Sequence, residues 1–191
     1  IVRAARQGLE DWAGGQSIHS QGFKPSRIEF IHTLNHSRSG VPVVPRRLLP
    51  LSIKTRLGFD CVVVERWVEH LLAARPAAIT LHGRTLQQMY RGAADWSAIA
   101  EAAKLAYGTG TLMLGNGDLN TLVDAIRRAA ESKVQGVLVG RGTLGSPWFF
   151  REKEQARRAF SERDDLSILP ATVWEPPVSV SHRMQVMLDH A

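Results

Sequence analysis

Three observations predict a parallel α/β fold from Leu51 onward: short apolar runs, amphipathic stretches between them, and a repeat of this pair about every 24 to 34 residues. The runs Leu51–Thr55, Ala77–Leu81, Thr111–Leu114 and Gly136–Val139 read as strands. Strands that alternate with helices pair in parallel through right-handed crossovers. Four such units make half of an eight-stranded barrel.

The chain has 191 residues, 44% hydrophobic and 22% charged, which suits one packed domain or part of one and excludes wholesale disorder or a fibrous repeat. Val2, Ala5, Leu9 and Trp12 have helical spacing that stops at Gly14-Gly15. Residues 16 to about 48 show no sustained period and carry Lys24, Arg27, Arg38, Arg46 and Arg47 against Glu29 alone, so they read as an irregular basic insertion with little order or as a functional excursion. Val64, Trp67, Val68, Leu71 and Leu72 form the stripe of the next helix. Asp95 can cap a helix from Trp96 to about Tyr107, and Asp118 can cap one bearing Leu122, Ile126 and Ala129. A charged helix is expected from Pro147 to about Arg163, then a proline-rich linker over Leu169–Pro177. Met184, Met187 and Leu188 open a last helix. The expected division is therefore 1–48, a helix remnant with the insertion; 49–150, the half-barrel; and 151–191, a linker helix and the start of a helical domain. Ile1 is not Met and both ends fall within helical patterns, so the chain reads as part of a longer protein.

No run of about 18 apolar residues occurs and Ile1-Val2-Arg3 does not open a signal peptide, so neither membrane nor secretion is expected. The single Cys61 cannot form an internal disulfide or a Cys-based zinc site, which suits a reducing cytosol and a cytoplasmic location. The sequon Asn35-His36-Ser37 is then chance. His32-x-x-x-His36 has ligand spacing but no third ligand nearby, and no metal is expected. Lys and Arg total 24 against 18 Asp and Glu, a net +6 that fits an anionic partner without requiring one.

In parallel α/β folds ligands lie beyond the C-terminal strand ends. Those ends read Lys54-Thr55-Arg56-Leu57-Gly58, His82-Gly83-Arg84-Thr85, Gly115-Asn116-Gly117-Asp118 and Gly140-Arg141-Gly142. Lys54 alternates with Ser52 toward the inside, where a buried ammonium needs an anion. The glycine turns of the last two units read as a phosphate cradle, with Arg141 as a bidentate partner, and this numbers the strands five to eight of a barrel. Gly140 to Gly145 also spells G-x-G-x-x-G, but no further strand follows it as a dinucleotide fingerprint needs.

Together with Tyr90-x-Gly92-x-Ala94-Asp95-Trp96 and Pro147-Trp148, these blocks resemble the C-terminal half-barrel of the tRNA-dihydrouridine synthases over about residues 49 to 150. The resemblance implies an FMN-binding TIM barrel followed by a small helical domain, with NADPH as reductant and tRNA as partner; it leaves the oligomeric state open. It places Lys54 on the flavin ring and His82 near it. Asn116, Gly117, Asp118, Gly140 and Arg141 fall around the FMN phosphate, and Arg56 and Arg84 toward the tRNA. The family's proton-donating cysteine lies in an Asn-x-Gly-Cys-Pro motif that this sequence does not contain, and Cys61 stands on the wrong unit to inherit the role. No catalytic residue is therefore assigned, and the chain alone is expected to be inactive. The alternatives are another FMN barrel, such as a dihydroorotate-dehydrogenase-like oxidoreductase, and an inactive RNA-binding remnant.

Overall fold

The computed structural model describes residues 1–36, 46–145, 149 and 179–189. Four parallel strands, β1 (Ser52–Arg56), β2 (Ala78–His82), β3 (Leu112–Asn116) and β4 (Gly136–Leu138), form one sheet in consecutive order. Each lies within two residues of its expected position. Consecutive order keeps every crossover helix on the same side, whereas a doubly wound sheet reverses direction and places helices on both.

Register decides which residues share a face. Ile53 pairs with Ile79 and Ile79 with Met113, while Lys54 pairs with Thr80 and Thr80 with Leu114. The first set is covered: Ile79, Leu81 and Met113 are buried, with Ile53 packed on the same core. That cover comes from α3 (Val64–Leu72), α4 (Trp96–Ala106) and α5 (Leu122–Ser132), whose Val64, Val68, Leu71, Ile99, Ala102 and Ala125 complete the core. On the opposite face Ser52, Lys54 and Leu112 are exposed, and no element covers them among the described residues. Lys54 therefore lies in the open, contrary to the expectation of a buried lysine, because no described element covers it on that face of the sheet.

Helix caps decide two local expectations. Asp95 does cap α4, its Oδ1 accepting from the Ala98 N–H at 2.9 Å. Asp118 does not cap α5. That cap is Thr121, whose Oγ1 accepts from the Asp124 N–H at 3.0 Å, and the Asp118 carboxylate turns toward the strand ends instead.

α1 (Val2–Ala13) forms as its spacing predicts, and its Arg6 donates to the Arg75 carbonyl at 2.6 Å. The insertion is more ordered than expected: a 3-10 turn (Ile18–Gln21) is followed by α2 (Pro25–His36). Pro25 occupies the first helical position, where a missing N–H costs nothing. Ile28, Phe30, Ile31 and Leu34 lie on one half of α2, but Arg27 falls among them, so no clean apolar stripe announces the helix. α6 (Val180–Asp189) presents Met184, Met187 and Leu188 to solvent. The expected helix to Arg163 and the proline-rich linker lie outside the described residues, as do Pro147 and Trp148.

Candidate functional site

The register that aligns Arg56, His82, Asn116 and Leu138 across all four strands gathers the strand-end residues on the uncovered face. Each is then fixed by the turn that follows its strand. Arg56 donates to the Thr85 carbonyl at 3.0 Å, tying the first rim turn to the second. Asn116 donates its amide to the Leu138 carbonyl at 2.8 Å and so holds the end of β4. Lys54 has no acidic partner among the described residues.

The third and fourth turns are built around close approach. Gly117 has φ +135, and a Cβ there would stand 2.6 Å from that of Ala94 and 3.3 Å from His82 Cδ2. The Gly117 carbonyl accepts from Trp96 Nε1 at 3.0 Å, so the buried head of α4 braces this turn. Gly142 abuts the Leu119 carbonyl so tightly that any side chain would overlap it. Between the turns opens a cavity of about 160 Å³, lined in part by His82, Tyr90, Asn116, Gly117, Gly140 and Arg141. A larger concavity of about 590 Å³ follows the outer side of α3 around Trp67 and His70. Its lining among the described residues, Val63, Arg66, Trp67, Glu69 and His70, comes from one segment, so among them no groups from different units converge there.

Charge at the cavity is organised by Asp118. Its two carboxylate oxygens accept from Arg84 Nη2 at 2.8 and 2.7 Å, Oδ2 also from the Ala94 N–H at 2.7 Å, and Oδ1 from Arg141 Nη2 at 3.2 Å. Burial acts to raise the Asp118 pKa, but the Ala94 N–H and the two guanidinium groups outweigh it and hold the carboxyl below its usual range. Arg84 is only 3% exposed and donates in addition to the Arg91 carbonyl at 2.9 Å. It is thus a buried tie between two loops, whereas the family resemblance placed it toward the tRNA. Arg141 is the exposed cation of the group, and its guanidinium also lies 5.1 Å from the centroid of the Tyr90 ring. Tyr90 was visible in the sequence only as a motif residue.

His82 is neutral here. Burial, followed by the charges of Arg56, Lys54 and Arg84, pushes its pKa down to about 4.

FMN carries a phosphate at one end and a polar ring at the other, and the residues present fit both. Gly140 faces open space where a Cβ would stand, so a phosphate can approach its backbone, and Arg141 keeps unshared donors beside it. A neutral imidazole and a free ammonium suit a ring edge that takes up negative charge on reduction. Cys61 is exposed, and its Asp60 neighbour raises the thiol pKa through a hydrogen bond and its charge. It does not line the cavity. His32 Nε2 lies 3.5 Å from His19 Nε2, yet among the described residues no three His, Cys, Asp or Glu side chains gather to hold a metal. Among those residues no helix is long and apolar enough to cross a membrane.

A family model described as "Dihydrouridine synthase (Dus)" matches residues 36–189. A "Probable tRNA-dihydrouridine synthase" of Aquifex aeolicus (strain VF5) is 40% identical over 109 residues, covering 57% of this chain and 34% of the relative. One of Mycobacterium leprae (strain TN) is 39% identical over 115 residues, 56% of this chain and 28% of its own. A Neurospora crassa protein named "tRNA-dihydrouridine(47) synthase", with the qualifier NAD(P)(+), is 34% identical over 140 residues, 54% of this chain and 19% of its own. The chain thus spans about a third or less of these relatives.

Proposed function

Since the chain belongs to the dihydrouridine synthase family, we propose that it supplies strands five to eight of an FMN-binding TIM barrel in a tRNA-dihydrouridine synthase. The reaction is reduction of the C5–C6 bond of a tRNA uridine, with NADPH as reductant. One observation carries the reading: four consecutive parallel strands bring His82, Gly117, Gly140 and Arg141 together around one cavity, with Lys54 two residues back on the same face of β1. When bound, FMN supplies the two electrons for that bond.

The chain's own residues bind and orient. Arg141 and the backbone at Gly140 and Gly117 take the phosphate. Asn116 shapes that end by holding β4, and the Asp118 carboxylate, itself an anion, acts on the cations rather than on the phosphate. Neutral His82 offers a hydrogen bond without adding charge, and Lys54 balances charge at the ring's pyrimidine edge. Arg56, anchored at one N–H, directs its remaining donors outward to the tRNA backbone. The sequence has no Asn-x-Gly-Cys-Pro motif, so it contributes no proton donor, and purified chain is expected to form no dihydrouridine from unmodified tRNA.

Fluorescence titration of the chain with FMN and with riboflavin, which lacks the phosphate, tests the cradle. FMN should bind about tenfold more tightly, and Arg141→Ala should remove most of that preference. Equal affinity for the two flavins would refute the phosphate site.

A further inference from the structure

Asp118 stands between two arginines that it holds unequally. Arg84, with its side chain 4% exposed, uses one nitrogen on both carboxylate oxygens at 2.7 and 2.8 Å. Arg141, with its side chain 61% exposed, makes one contact of 3.2 Å. A carboxylate offers about four lone-pair positions. Arg84 takes two and the Ala94 N–H a third, so Arg141 is left with the last and longest.

We propose that Arg84 is a positioning residue that saturates Asp118 and so keeps Arg141 available to a phosphate group. The inference rests on the flavin-phosphate reading above and adds a role that no motif in the sequence assigns. Asp118 and a phosphate are both anions, and Arg141 can serve either one bidentately. With Arg84 in place Asp118 is already neutralised, and the exposed guanidinium exchanges its long contact for the doubly charged ligand. Without Arg84 the carboxylate, its side chain 30% exposed, has no cation other than Arg141 within 4 Å among the described residues, and it captures Arg141 on both oxygens. The Gly140–Arg141 turn then presents backbone to the ligand but no charge. Arg84 also fixes the loop that carries Tyr90 through the Arg91 carbonyl, and that ring flanks the same guanidinium.

The competition predicts a pattern that mere loss of packing does not. In the chain, Arg84→Met should weaken FMN about tenfold and leave riboflavin unchanged. Adding Asp118→Asn removes the competing anion and should bring FMN back to within about threefold of the unaltered chain. Arg84→Lys, which keeps the charge but only one point of contact, should fall between and be rescued in the same way. Circular dichroism follows folding, and if the Met variant does not fold, the Lys variant and its Asp118→Asn partner decide. Loss of FMN and riboflavin in equal measure, or no recovery with Asp118→Asn, would overturn the proposal. If the unaltered chain itself does not prefer FMN, the phosphate reading fails and takes this inference with it; if it does, a negative result in the variants overturns this inference alone.

Discussion

His82 shows how one residue's surroundings set its chemistry. Its folded pKa of about 4 lies below the ordinary 6.5, chiefly through burial and then through the nearby cations. Between those two pH values the unfolded chain binds a proton at this position and the folded one does not, so stability falls as pH drops from 6.5 toward 4 and is fully present above 6.5. The Cε1 resonance of His82 should titrate with a midpoint near 4, and His82→Gln should flatten that part of the pH–stability curve. A midpoint near 6.5 would mean that the imidazole is charged at mildly acidic pH and that the neutral-donor role is wrong. The sequence showed that His82 ends an apolar strand beside a glycine, which was enough to mark it as a rim residue. It could not show the Arg84–Asp118 pairing, because partners 34 positions apart leave no local pattern. Lys54 failed in the other direction. Strand alternation put it on the correct face, but whether that face is covered depends on elements that alternation does not describe.

At the level of the elements, the strands and the three covering helices were legible because their apolar spacing matches their geometry. α2 was not, because Arg27 sits among its apolar residues and breaks the stripe that would mark the helix. The start of α5 was misread by three residues for a physical reason: Asp118 and Thr121 are both good capping types, and tertiary charge pairing claimed the first. Thr121→Ala should therefore cost about 1 kcal/mol in urea unfolding, the usual value of a side-chain cap. If Thr121→Ala leaves the unfolding midpoint in place, the hydrogen bond to the Asp124 N–H contributes nothing and the cap assignment fails.

Across the molecule, one face of the sheet is covered by helices and the other by no element among the described residues. Leu112 is 51% exposed, and Leu114 and Leu138 on the same face are half-buried, beside edge strands β1 and β4 with an unpaired side each among the described residues. A contiguous apolar surface of this kind binds hydrophobic dyes and lowers solubility. The chain should enhance the fluorescence of an anilinonaphthalene dye while keeping its helical dichroism, and Leu112→Lys should reduce the enhancement substantially. Dye binding that does not respond to Leu112→Lys would locate the exposed surface elsewhere.

The consecutive strand order has a consequence for assembly in time. Ser52 pairs with Ala78, Ala78 with Leu112 and Leu114 with Gly136, so every sheet contact closes a loop of 22 to 34 residues. Loop-closure entropy grows only slowly with length, and short loops keep contact order low. Each βα unit can therefore dock on its predecessor as it leaves the ribosome, before the next one has been synthesised. The cation cluster is completed last, when Arg141 arrives at a carboxylate that Arg84 has already claimed.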